Sequence, residues 1–240
     1  EKQMRLDKYV STAAAQSRSD AKGTILHGQV SVNGVICKKS DTQVDENDEI
    51  ALLGNVLSHS EYVYIMVDKP IGVVSVSMDK RDKTVVDLVQ SDYPRRKLFP
   101  AGRLDKSSTG FVLLTDDGNF AHDILSPRHH VSKTYEVLLD TPLTQSMIDG
   151  FASGVTLADG TKLGGATVEA IGSDGFLVRV VLAQGVYHQI KRMFGVYDAG
   201  VNELRRIAIG GLALDSTLGL GGYRAITKEE LSKITQRESN

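Results

Sequence analysis

Two apolar runs, 166–171 and 176–182, are separated by only Gly172-Ser173-Asp174-Gly175. Parallel neighbours need a crossover of about a dozen residues, whereas antiparallel strands close through a tight turn. The short link therefore pairs these runs antiparallel and argues against a parallel βαβ fold. Runs at 62–67, 111–115 and 134–139 also have strand length, and Lys69-Pro70-Ile71-Gly72 and Asp116-Asp117-Gly118 close the first two. Helical patterns recur at 85–89, 119–125, 144–153 and 188–197, and Pro127 stops the second. Strands outnumber helices. The expected class is α+β, built on a mixed, mainly antiparallel sheet with flanking helices. Hydrophobic residues make up 41 % of the chain, enough to fill such a core.

The front of the chain reads as a separate small domain of two helices followed by short strands. Leu6, Tyr9, Val10, Ala13 and Ala14 recur at helical spacing, and Arg5, Asp7 and Lys8 fall off that stripe. Ser19 is the expected N-cap of a second helix, with Asp20 at its positive end and Gly28 placed to stop it. Val30-Ser31-Val32 and Val35-Ile36-Cys37 flank Asn33-Gly34, a strong hairpin signal because both turn residues need positive φ. Turn-forming residues with weak periodicity follow. The expected division is 1–54 as the small domain, 55–61 as a linker and 62–240 as the larger domain.

Several classes are set aside by what the chain lacks. No apolar stretch approaches the roughly 18 residues of a membrane span, so no membrane association is expected. No apolar h-region opens the chain, Met4 reads as a natural start, and residues 1–3 are left out of the fold argument. One cysteine, Cys37, forbids an internal disulfide, fits a reducing cytoplasm and reads as a small core residue. A net charge of −2 does not advertise a nucleic-acid binder. The distribution is more telling: residues 1–39 carry seven Lys or Arg against three acids, and 40–54 carry five acids and no base.

Common catalytic motifs are missing. There is no Gly-x-Ser-x-Gly elbow and no Walker A loop, and Gly219-Leu220-Gly221-Gly222 reads as a turn. His129 and His130 are adjacent, would diverge on a strand, and suit an RNA-facing loop better than a metal site. The stretch from Ala101 to Gly110 differs in kind. Gly102-Arg103-Leu104-Asp105-Lys106-Ser107-Ser108-Thr109-Gly110 packs a carboxylate, an arginine and several hydroxyls between glycines, just before a hydrophobic strand. Such a loop can approach a ligand closely. On local grounds alone Asp105 reads as a turn-former bonding back toward Ser107, with Arg103 as a surface partner. Basic residues come in knots: Arg95-Arg96-Lys97, Arg128 with Lys133, Lys191-Arg192 and Arg205-Arg206. Each knot alone is a solvated face. Together with His129, His130, Tyr135, Tyr187 and His188 they outline a groove for phosphates and unstacked bases. Lys191 and Arg192 are neighbours on a helix, so only one can point at a given site.

These segments resemble the RsuA-type pseudouridine synthases. The resemblance rests on the Gly102–Gly110 signature, Lys69-Pro70-Ile71-Gly72, Leu113-Leu114-Thr115-Asp116-Asp117-Gly118, Pro127-Arg128-His129-His130, Lys133-Thr134-Tyr135, and Tyr187-His188-Gln189-Ile190-Lys191-Arg192-Met193-Phe194, in the family's order. Ile209-Gly210-Gly211-Leu212 and Gly222-Tyr223-Arg224 also match. Arg5-Leu6-Asp7-Lys8-Tyr9-Val10, Arg18-Ser19 and Gly28-Gln29-Val30-Ser31-Val32-Asn33-Gly34 are similar to the S4 RNA-binding domain. Residues 4 to 234 are covered.

The resemblance implies an S4-like RNA-binding domain that docks on structured RNA and a catalytic domain that flips a uridine into its cleft, since the glycosidic carbon is inaccessible in a stacked helix. The N1–C1′ bond breaks, uracil rotates, and C1′ rejoins at C5. Nothing is gained or lost, so neither cofactor nor metal is expected. By the same resemblance Asp105 is the reacting carboxylate, at the sugar or at C6 of the base, and it must be ionised. Lys191 is its basic partner, and Tyr135 packs on uracil and takes the C5 proton, directly or through water. Arg103 supports the flipped backbone or fills the vacated stack. Arg5, Lys8, Arg18, Lys22, Arg128, His129, His130, Lys133, His188, Gln189 and Arg192 are the expected RNA contacts.

The lysine at 191 and the Pro-Arg-His-His run lean toward an enzyme for one uridine of 16S rRNA, on naked RNA or a small-subunit assembly particle, acting as a cytoplasmic monomer. A large-subunit enzyme is the alternative within the family. Gln184-Gly185-Val186 departs from the family, which often has an acid before that glycine. A non-catalytic RNA-binding protein with the same fold, and a hydrolytic nucleosidase, are the readings outside it. The nucleosidase would want paired carboxylates or a metal.

Overall fold

The computed structural model describes residues 3–59, 62–129, 131–186 and 188–235. His130 and Tyr187, both singled out above, lie outside the described residues. The chain divides into two compact units: residues 1–62 with 90–97, and residues 63–89 with 98–240.

In the first unit, α1 (Leu6–Ala13) and α2 (Arg18–Leu26) precede four short strands, β1 (Val30–Val32), β2 (Val35–Ile36), β3 (Ile50–Leu52) and β4 (Asn55–Val56), in the order β2-β1-β3-β4. Asn33 (φ +50°) and Gly34 (φ +80°) make the hairpin turn their sequence calls for. Leu6, Tyr9 and Val10 from α1 pack with Ala21 and Ile25 from α2 and with Val30, Val44 and Ile50. Cys37 packs against this core while staying partly exposed. Ser17, not the expected Ser19, caps α2 by accepting the amide of Asp20 at 2.9 Å. The helix starts two residues earlier because Ser17 is the residue with extended backbone (ψ 159°). Residues 55–56, read from sequence as linker, form β4 against β3.

Asp7 was set off the apolar stripe, yet it is fully buried. Arg5 Nη2 reaches it at 2.9 Å and Arg18 Nη2 at 2.8 Å. A buried carboxylate is tolerated when it is paired and hydrogen-bonded. Burial pushes the Asp7 carboxyl up, but the two guanidinium hydrogen bonds outweigh it and leave the group below its ordinary 3.8.

The second unit is built on a nine-stranded sheet. Its principal strands are β5 (Tyr64–Lys69), β6 (Thr109–Thr115), β7 (Lys133–Leu139), β8 (Thr167–Ala170), β9 (Leu177–Leu182), β10 (Val201–Ile209) and β11 (Tyr223–Ala225), in the order β8-β9-β7-β10-β6-β5-β11. Phe99–Pro100 pairs β6 and Leu212–Ala213 pairs β10 at the margins. The pair β10–β6 is parallel and the other pairs are antiparallel, including β8–β9 across the four-residue link. Helices α3 (Gly118–Leu125), α4 (Gln145–Ser153), α5 (Gln189–Gly195) and α6 (Lys228–Thr235) flank the sheet. Asp117 caps α3 and Thr144 caps α4. Met66, Phe111, Leu113 and Ile209 from the sheet meet Ala121 and Ile124 of α3 and Ile234 of α6.

One local expectation fails. The apolar run 85–89 is a turn, not a helix: Thr84 bridges Val74 instead, and the Asp87 carboxylate accepts the Thr84 amide at 2.8 Å. Five residues are too few to repay helix nucleation against that competing local bond. His129 lies exposed in the 3-10 turn Pro127–His129, in keeping with the loop reading.

Candidate active site

The segment joining the Phe99–Pro100 strand to β6 presents Asp105 beside the N-terminus of α5. Lys191, one turn into that helix, places Nζ 3.3 Å from Asp105 Oδ2 and 3.2 Å from the Ser107 hydroxyl. His188, the residue before α5, places Nε2 3.1 Å from Asp105 Oδ1. Both carboxylate oxygens are thus gripped, and about a third of each of the three side chains remains open to solvent. His188 sits in the left-handed region (φ +50°, ψ +33°), which is uncommon for a residue other than glycine, asparagine or aspartate. That backbone turn directs the ring and the following helix at the same carboxylate.

The carboxylate-bearing segment is anchored from β5 and the residues after it. Lys69 at the end of β5 is completely buried, and its ammonium donates to the carbonyls of Pro70 (2.9 Å), Val73 (2.7 Å) and Lys106 (3.3 Å). Burial pulls its pKa down to about 8, opposed by the charge of Asp105. The amide of Gly72 donates to the Lys106 carbonyl at 2.9 Å. Ser75 Oγ, also buried, donates to the Leu104 carbonyl at 3.0 Å and accepts the Leu104 amide at 3.1 Å. The residues on both sides of Asp105 are therefore fixed to a second segment. At the surface, Lys106 reaches Asp82 at 2.8 Å.

Tyr135 lies on β7, buried, opposite Arg206 of β10, and Arg206 in turn stands opposite Gly110 of β6. The register slips between Thr134 and Tyr135, a bulge that re-aims side chains locally. A row of strand positions thus leads from Tyr135 to the end of the Asp105 segment.

The other expected contacts separate into groups. Lys8, Lys22, Arg103, Arg128 and His129 are exposed. Lys133 is half-buried, and burial together with the charge of Arg206 lowers its pKa. Arg5 and Arg18 direct their guanidinium groups at Asp7. Arg192 pairs with Asp159 at 2.7 Å while Lys191 takes Asp105, so the two neighbours diverge as helix geometry requires. Gln189, expected to touch RNA, is instead buried, and its amide bonds Gln184 and the Val186 backbone. Its position at the first turn of α5 makes it a brace for the loop before the helix. The Arg205-Arg206 knot also divides. Arg205 forms a two-pronged pair with buried Asp68 (2.9 and 2.8 Å), and Arg206 is buried.

Sequence reading placed Lys69 in a motif but gave it no role, and passed over Ser75. Lysine at the end of an otherwise apolar strand was the available signal for Lys69; nothing local marked Ser75. Among the described residues no group of three or more His, Cys, Asp or Glu side chains is placed to hold a metal ion.

Residues 63–195 match the RNA pseudouridylate synthase family and residues 4–50 match the S4 domain. The chain is 39 % identical over 235 residues to ribosomal small subunit pseudouridine synthase A of Escherichia coli, covering 96 % of this chain and all of that protein. It is 37 % identical over 239 residues to YtzG, an uncharacterised RNA pseudouridine synthase of Bacillus subtilis, covering 98 % of this chain and all of that one. Among solved structures, a pseudouridylate synthase superposes with a TM-score of 0.68 at 36 % identity, over 96 % of this chain and 99 % of the other.

Proposed function

This chain belongs to the RNA pseudouridylate synthase family and is an isomerase acting on RNA; from that premise we propose that it converts one uridine of small-subunit ribosomal RNA to pseudouridine, with Asp105 as the reacting carboxylate. The observation that carries the reading is the ion pair of Asp105 with Lys191, on a segment held by Lys69 and Ser75. The likeness to the small-subunit enzyme of Escherichia coli over nearly the full chain favours 16S rRNA over the large-subunit alternative.

In this reading a uridine leaves its stack and enters beside Asp105. The carboxylate acts on the ribose to free uracil from C1′. Lys191 and His188 hold its two oxygens so that it meets the sugar in one orientation. Uracil turns while held, C5 bonds C1′, and the C5 proton leaves as N1 takes one up. Tyr135 receives that proton, directly or through water, a role its strand position opposite Arg206 supports. Arg103, exposed at the mouth of the segment, contacts the RNA where the nucleotide has left. Atoms balance, so the reaction draws on no external group.

The first unit docks the RNA through Lys8 and Lys22, and the second is the catalytic part. Arg128, His129 and Lys133 extend the contact on the catalytic part. No helix among the described residues is long and apolar enough to cross a membrane. We place the enzyme in the cytoplasm as a monomer. Carbodiimide mapping of pseudouridine in rRNA from cells lacking the protein tests the target. Loss of one signal in 16S rRNA is expected, and loss of a 23S signal instead would move the enzyme to the large subunit.

A further inference from the structure

We propose that Arg206 is a positioning residue for the isomerisation: from beneath the sheet strands it ties together the two ends of the segment that presents Asp105. The proposal rests on the reading of Asp105 as the reacting carboxylate. Arg206 Nε donates to the carbonyl of Phe111 at 2.7 Å, and Nη1 reaches the carbonyl of Arg103 at 3.4 Å. Those carbonyls lie on either side of Asp105, one before it and one after the segment has become β6. Lys69 and Ser75 grip the middle of the segment. Arg206 spans its base.

The contrast with Arg205 shows that this is not an ordinary buried ion pair. Arg205 has its fork filled by Asp68. Arg206 is 3 % exposed; among the described residues it has no carboxylate partner, and its Nη2 is the one buried side-chain nitrogen or oxygen without a hydrogen bond. A buried charge left incompletely bonded is costly, and an apolar side chain of similar volume would serve packing better. The guanidinium offers what an apolar chain lacks, a rigid fork reaching two carbonyls at once. Contact is close at Gly110 and ordinary at Gly102. A Cβ on Gly110 would fall 2.1 Å from the Arg206 carbonyl oxygen, and one on Gly102 would fall 4.0 Å from Nη2. Glycine at 110 lets β6 lie against the backbone of this arginine, whose guanidinium then reaches the Phe111 and Arg103 carbonyls.

The test is single-turnover pseudouridine formation and RNA affinity for Arg206→Ala, Arg206→Lys and Arg206→Met, with folding checked by circular dichroism. Arg206→Ala is expected to lower the rate constant about 100-fold, the scale of a slight misplacement of reacting groups. RNA affinity should stay within about three-fold, since the residue does not meet solvent. Arg206→Lys should not recover the rate, because an ammonium lacks the rigid planar fork whose Nε and Nη1 meet the two carbonyls. Millimolar guanidinium should restore activity to Arg206→Ala, and neutral urea of the same shape should not. An unchanged rate overturns the proposal. So does affinity that falls in step with the rate, which would make Arg206 an RNA contact. Equal rescue by urea would reduce it to packing. If Arg206→Ala unfolds, Arg206→Met supplies the same comparison of rate and affinity; if both unfold, the role is structural alone and the proposal fails. Activity in Asp105→Asn would instead overturn the reading of Asp105.

Discussion

The ammonium of Lys191 stands 3.3 Å from Oδ2 of Asp105, although 86 residues separate them in the chain. The pair forms because β10 and β6 run side by side and α5 leads into β10. Helix and loop are thereby delivered to one place. His188 completes the grip on Oδ1.

Replacing Asp105 by Asn keeps the shape of the side chain and removes its charge. Isomerisation is expected to fall to background, with RNA affinity within a few fold of the native protein. Release of tritium from C5-labelled RNA measures the first and filter binding the second. Turnover by the variant would remove Asp105 from the chemistry.

Lys191→Met should lower the single-turnover rate by roughly 100-fold, the usual cost of losing one preorganised charge at a reacting centre. Lys191→Arg keeps the charge and should retain more of the rate than Met does. Equal loss in both would mean that the ammonium geometry, not its charge, is what matters.

Lys69 predicts opposite pH trends for activity and stability. Its folded pKa of about 8 lies below the ordinary 10.5, so the unfolded chain binds more protons between those values. The contribution of Lys69 to stability is therefore least below pH 8 and rises from about 8 to 10.5. Activity should fall over the same interval as the ammonium clamp on the Val73, Pro70 and Lys106 carbonyls weakens. A pH–rate profile shows this, and the residual activity of Lys69→Met should lack that limb. A limb that persists in the variant belongs to another group.

Asp7→Asn should destabilise the first unit by about 1–3 kcal/mol, the scale for disrupting a buried charged hydrogen-bond network. The native carboxyl lies below 3.8, so its contribution is fully present above that pH and is lost as pH falls through the depressed value. Hydrogen exchange of amides 6–26 in the full chain reads this directly. Protection factors, with intrinsic rates divided out, should fall toward acid in the native protein and change less in the variant.

Gly110→Ala should destabilise the second unit by roughly 2–5 kcal/mol, combining backbone strain with overpacking. Gly110 has φ +109°, and the added methyl would fall 2.1 Å from a backbone oxygen that cannot swing aside. Gly118→Ala is the control, since nothing lies within 4 Å of that position. Equal melting temperatures for the two variants would contradict the close approach.

The amino-acid sequence by itself determined the antiparallel pairing across Gly172–Gly175, the Asn33-Gly34 hairpin and the class of the fold. Each depends on neighbours a few positions away, through φ preference, periodicity or loop length. Asp105 stood out only through the family's ordered motifs, since its immediate neighbours read as a turn. Sequence reading misjudged Ser19 and the run 85–89, where two nearby local bonds compete and small energy differences choose between them. Only the tertiary structure decided that His188 joins Lys191 at Asp105, that Gln189 turns inward, that Asp7 is buried between two arginines, and that Arg205 and Arg206 take different partners. Those outcomes depend on strand register and on desolvation, which are set by residues far apart in the chain. A charged residue in a string of letters looks equally ready for solvent, an ion pair or a buried clamp until the fold fixes what surrounds it.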